Sequence, residues 1–114
     1  MPPLRKVPAL LEALGLIQSV VVITDGRFAG LPQGLLISMA SPEALAGGTL
    51  ALLRDGDRVD INVPNRQLVV RLTDTELKVR TARWKPPAPK AASGFLSRYS
   101  RLVTGAHLGA VVKS

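Results

Sequence analysis

"TDGRFAGLPQG", residues 24–34, follows directly on the apolar run "SVVVI", residues 19–23. A β-branched run without polar alternation reads as a strand covered on both faces. Its exit into a loop with glycine at 26, 30 and 34 marks a place where backbone can approach a ligand closely. The loop carries the hydroxyl of Thr24, the carboxylate of Asp25, the guanidinium of Arg27, and unhindered N–H groups near Gly26 and Gly30. Such a set can grip a carboxylate or a phosphate. The glycines stand four apart, so this is no G-x-G-x-x-G dinucleotide turn, and the Lys-Ser/Thr ending of a P-loop is missing. A second reading makes the stretch a tight strand exit in which Asp25 and Arg27 satisfy nearby backbone groups, and spacing alone leaves both open.

Working outward, Val7, Leu10, Leu11 and Leu14 recur at helical spacing, with Pro8 suited to the first turn and Gly15 to the end. Downstream, 35–37 is a second apolar run. Ser41 can cap one helical turn begun by Pro42 and closed by Gly47 and Gly48. Three strands joined by turns are then expected: 49–54, a hairpin signal at Asp55-Gly56, 58–63, the turn Pro64-Asn65-Arg66, and 68–72. In the middle strand Val59, Ile61 and Val63 alternate with Asp60 and Asn62, which gives one buried and one wet face. "TDTE", residues 73–76, spells a capping box, in which Thr73 accepts from the third helical N–H and Glu76 reaches back. That helix runs to about Trp84. The proline-rich 85–93 reads as a stiff linker. A last helix over 95–103 sets Phe95, Tyr99 and Leu102 on one face, which needs something to lie on.

At 114 residues, 46% hydrophobic and 20% charged, residues 1–114 read as one folded domain of mixed α/β class. The absence of cysteine removes disulfides, thiolate ligation of an iron–sulfur cluster and thiol catalysis from this chain. No apolar run approaches the ~20 residues of a membrane span, and the N-terminus lacks a signal-peptide pattern. The expected location is the cytoplasm.

The net charge of +7 is unevenly spread: all 8 acids lie at or before Glu76, and the chain beyond carries basic residues alone. A basic segment can bind nucleic acid, but aromatic content of 4% leaves few stacking platforms for bases. A basic helix end followed by a solvated linker is the preferred reading. His107, the single histidine, has no acid or second ligand near it in sequence. Asp55, Asp57 and Asp60 fit turn and edge-strand duties better than a cation site.

Residues 21–77, with "TDGRFAG", "SPEA", "GG", "DGD" and "PNR" in order, resemble the C-terminal domain of dihydroxy-acid dehydratases and the related sugar-acid (6-phosphogluconate) dehydratases. The tail "GFLSRYSRLVTGAHLGAVV", residues 94–112, is similar to the family's ending. The resemblance implies a swivelling β/β/α domain, a flattened mixed β-barrel with helices outside. It also implies a larger N-terminal domain that holds an iron–sulfur cluster and Mg2+, neither bound by this chain. The full enzymes are hydro-lyases that turn 2,3-dihydroxy acids into 2-keto acids, in branched-chain amino-acid synthesis or sugar-acid breakdown.

The family serine thought to remove the C2 proton corresponds to Ala29, whose methyl group cannot accept a proton. The following G-T corresponds to Leu31-Pro32, the G-M-P-E near the start to Met1-Pro2-Pro3, and a G-H before "SPEA" to Ser38-Met39. No catalytic or metal-binding residue is therefore expected in this chain. Thr24, Asp25, Gly26, Arg27 and Gly30 remain as candidate ligand-binding residues. The expected role is a binding or partner-docking module without dehydratase activity of its own. Its partner would be a cluster-bearing N-terminal dehydratase domain or a second copy. The alternative is a dehydratase subunit or fragment completed by such a domain.

Overall fold

In the computed structural model, residues 4–30 and 33–113 are described. The expectations placed on Met1, Pro2, Pro3, Leu31 and Pro32 lie outside them. Helix α1 (Lys6–Ala13) forms where the periodicity predicts, with Gly15 just beyond its end. Its apolar stripe is largely open, since Val7, Leu10 and Leu14 are exposed and Pro8 is the buried residue. Strand β1 (Val22–Ile23) pairs in parallel with β2 (Leu36–Ile37), Val22 opposite Leu36 and Ile23 opposite Ile37. The expected longer strand over 19–23 is corrected. Ser19 lies in a turn and donates to the Leu16 carbonyl, while Val20 and Val21 stay exposed. Parallel pairs persist when further strands and helices cover them, and β1 has no second neighbour among the described residues.

The expected Ser41 cap with Pro42 at the first position is also corrected. A 3-10 turn (Ala44–Ala46) begins later, and the acceptor for its first N–H is the Asp25 carboxylate, 2.8 Å from the Ala44 nitrogen. The strand expected over 49–54 is a second 3-10 turn (Thr49–Leu52). Its start is set by Gly48, which is buried where a Cβ would lie 1.9 Å from the Pro42 carbonyl oxygen. Only a residue without a side chain allows the chain to reverse so tightly there. The three-strand meander reduces to the antiparallel hairpin of β3 (Val59–Asn62) and β4 (Gln67–Val70), with Val59 opposite Val70 and Asn62 opposite Gln67.

Helix α2 (Asp74–Arg83) starts with both halves of the predicted capping box, and its basic residues sit at the end. Residues 85–93 have no helix or strand. Helix α3 (Gly94–Leu102) follows, and the tail then doubles back through a bridge between Val103 and Val112. The described elements form a mixed α/β arrangement with two separate two-stranded sheets, and no barrel closes among them. No described helix is long and apolar enough to cross a membrane.

Packing is thin. Among the described residues Ile17, Leu52 and Ala106 make up the buried hydrophobic core, and none of them is fully enclosed. The chain exposes 8821 Å², where a compact monomer of 12.1 kDa exposes about 6,000 Å². Its radius of gyration is 15.9 Å, against about 13 Å for a compact domain of this length.

The most enclosed ion pair among the described residues joins the segment before β3 to α2. Arg80 grips both carboxylate oxygens of Asp57 and also donates to the Leu52 carbonyl at 2.9 Å. The two side chains are only 14% and 12% exposed. Hydrogen bonding from Arg80, then from the Arg54 N–H, holds the Asp57 carboxyl at a pKa of about 2, below its ordinary 3.8. A depressed carboxylate pKa stabilises the fold above the ordinary value and loses that effect as pH falls toward the folded one. Asp57→Asn should therefore lower the melting temperature at pH 7 and flatten its fall between pH 3.8 and about 2. Circular-dichroism melts across that range check it. In the same melts Gly48→Ala should cost about 1–3 kcal/mol, because the added methyl meets backbone that cannot swing aside.

Candidate functional site: the 24–34 loop

The loop is built by backbone hydrogen bonds from both sides. Downstream, the segment after β2 runs beside it: the Met39 N–H donates to the Gly26 carbonyl (2.9 Å) and the Ala40 N–H to the Thr24 carbonyl (3.0 Å). Upstream, the Leu4 N–H donates to the Arg27 carbonyl (2.7 Å), and the Ala29 N–H donates to the Leu4 carbonyl (3.2 Å). This forms a parallel bridge between Leu4 and Phe28. Residues 24–29 are thus clamped between two segments distant in sequence.

The candidate side chains divide by what they touch. Thr24 is half-buried, and its Oγ1 accepts from the Gly26 N–H at 3.0 Å. Asp25 is half-buried, and Oδ2 accepts from Ala44 as described. The same side chain borders a hollow of ≈ 330 Å³ that includes Trp84 and Pro87. Gly26 is buried, whereas Arg27 is exposed. The Arg27 guanidinium has no hydrogen bond or ion pair among the described residues, whereas its carbonyl is engaged by Leu4. Gly30 is exposed at φ +83°, a left-handed conformation that glycine adopts without strain, and the space a Cβ would fill is open.

Ala29 sits half-buried next to Gly30. Its backbone is fixed by Leu4, so the methyl group occupies a defined place rather than a mobile one. Met39 lies across the same loop at φ 56°. The structure therefore brings two of the four departures, Ala29 and Met39, onto one loop system. His107 lies elsewhere in sequence, exposed in a 3-10 turn (Ala106–Leu108), with its ring folded back over Gly105.

Two contacts carry no spacing signal. The Glu43 carboxylate accepts from the Ala106 N–H at 2.5 Å across 63 residues, which ties the S-P-E-A turn to the tail. Asp57 meets Arg80 across 23. Among the described residues no three His, Cys, Asp or Glu side chains come together to hold a metal ion, and the chain has no cysteine. These donors do not fit an iron–sulfur cluster or a divalent cation site, so no chemical step is routed through either.

The profile of the family described as "Dihydroxy-acid/6-phosphogluconate dehydratase C-terminal" matches residues 1–110. A dihydroxy-acid dehydratase from Acetivibrio thermocellus is 45% identical over 104 residues, which are 91% of this chain and 19% of the relative. One from Syntrophotalea carbinolica is 48% identical over 106 residues, 93% of this chain and again 19% of the relative. A third, from Caldanaerobacter subterraneus, is 46% identical over 103 residues, 90% of this chain and 18% of the relative. The chain thus spans about a fifth of the length of the relatives it matches. With the loop geometry, the hairpin, the capping box and the near-complete match, this chain belongs to the dihydroxy-acid/6-phosphogluconate dehydratase C-terminal family.

Proposed function

We propose that this chain is a non-catalytic domain, a swivelling domain spanning 1–114, that docks onto the cluster-bearing body of a dihydroxy-acid dehydratase. The observation that carries the reading is Ala29, a methyl group held by the Leu4 bridge at the place that resembles the family's serine. Dehydration of a 2,3-dihydroxy acid needs a base at C2 and help for the departing C3 hydroxyl. Ala29 offers no lone pair for the first. The second belongs to a cluster that this chain's donors do not fit. Met39, beside the same loop, adds a thioether in place of an imidazole.

The docking half of the reading is supported by area. The excess of about 2,800 Å² over a compact monomer exceeds the ~800 Å² that one partner hides in a standard interface. Phe95, on α3, is 78% exposed and stacks only on Tyr99 (ring centroids 6.5 Å). Thr24, Asp25, Gly26, Arg27 and Gly30 form the loop through which the domain would meet an acid group in such a complex. Arg27 is the side chain free to do so.

The test is co-expression of this chain with the Acetivibrio thermocellus relative from which the 104 matched residues are deleted. With Mg2+ and a 2,3-dihydroxy acid, 2-keto acid is followed as its hydrazone. The unaltered chain should give no turnover above background. Ala29→Ser should raise it on the order of 10²-fold or more, the usual worth of a placed base. Turnover by the unaltered chain at the rate of the variant would overturn the reading.

A further inference from the structure

Strand β4 has an open edge of a particular kind. The Arg71 N–H donates to the Arg58 carbonyl at 2.8 Å, so residues 58 and 71 are a hydrogen-bonded pair. Antiparallel pairs alternate. With Asp60 opposite Val69 and Asn62 opposite Gln67, those pairs also bond to each other. Leu68 and Val70, opposite Ile61 and Val59, then turn their N–H and C=O groups away from β3. No other backbone hydrogen bond reaches them among the described residues.

A groove of ≈ 440 Å³ lies against this strand, lined by Leu68, Val69 and Val70 and faced by Leu50, Leu53 and Leu77. Successive strand residues point to opposite faces of a sheet. A hollow lined by all three therefore runs along the edge itself. Leu68 and Val69 are 41% and 44% exposed. Natural edge strands are guarded by an inward charge, a proline or a bulge. Gln67–Val70 has none of these.

We propose that the β4 edge accepts an extended apolar segment from the dehydratase body, which adds as a strand beside Leu68 and Val70 and fills the groove. The inference rests on the docking reading above and names the contact. Main-chain bonds to Leu68 and Val70 supply affinity, and alternate side chains of the incoming strand enter the apolar floor. A second copy fits less well. Two chains of +7 repel, and a standard dimer would cover only about a third of the excess surface. The relatives carry roughly four times this chain's length beyond the matched region, which is enough to cover the rest.

Amide hydrogen exchange on the full chain, alone and co-expressed with the same deleted Acetivibrio thermocellus relative, tests the proposal. In the chain alone, the Leu68 and Val70 amides should exchange freely while Val69 is protected by β3. In the complex, both should slow on the order of 100-fold. Val70→Pro removes an outward N–H and no bond to β3, so the hairpin should survive while affinity falls by roughly 10- to 100-fold. Val69→Pro, by contrast, should dismantle the hairpin in the isolated chain. If no complex forms, the docking reading fails and takes this inference with it. A complex in which Leu68 and Val70 still exchange freely, or which Val70→Pro leaves unchanged, overturns the strand addition alone. Protection that appears in the chain by itself and grows with concentration would assign the edge to a second copy and overturn it equally.

Discussion

Three carboxylates, each reaching a group far away in sequence, hold together a chain that buries few side chains. Asp25 starts the 3-10 turn at Ala44, Glu43 fastens the tail at Ala106, and Asp57 joins the segment before β3 to α2 through Arg80. The first two act on backbone N–H groups at the starts of short helical turns, where donors lack a partner within the turn. The third is an ion pair whose Arg80 partner also donates to the carbonyl of Leu52, one of the buried hydrophobic residues. Polar clasps of this kind fix direction, whereas apolar burial mainly supplies driving force. The chain therefore has a specified path, while few of its described side chains are buried.

What the sequence made legible follows how local each signal is. The capping box at 73–76 needs four residues to act, and α2 begins where it predicts, with both bonds made. The turn after Val63 and the alternation in β3 are equally local, and the hairpin stands. The elements that went astray depend on distant neighbours. Residues 49–54 look like a strand from apolar content, yet Gly48 against Pro42 and Leu52 in the interior bend them into a 3-10 turn. The valines at 20 and 21 have strand propensity, but no neighbouring strand pairs them among the described residues. Barrel closure, which the family resemblance implied, is a property of strands from more than one region. Asp57 and Arg80 were each visible as charges, yet nothing in their spacing joined them.

The two open sheets belong to the same account. A parallel pair of two residues is stable only within a larger sheet, and an antiparallel pair becomes secure with a third strand or a covered face. Among the described residues both sheets stop at two strands. Helix α3 is amphipathic, with Phe95 and Leu96 among the most exposed apolar residues of the chain. Incomplete sheets and an uncovered helix are the same shortage of neighbours seen in two kinds of element.

The described part of loop 24–34 is held by contacts that serve the fold itself. Thr24 folds its hydroxyl onto Gly26, Asp25 caps Ala44, Gly26 is buried beneath Met39, and Gly30 takes a left-handed turn. Each of these residues serves the fold whether or not a reaction takes place. A hydroxyl at position 29 would have no such duty, because the Leu4 bridge uses only backbone. Serine or alanine at position 29 would therefore leave the loop standing alike. Arg27 is the exception. Its guanidinium is exposed and does nothing for the fold among the described residues. Of the loop side chains Thr24, Asp25 and Arg27, it is the one that makes no hydrogen bond or ion pair among the described residues, so the fold constrains it least.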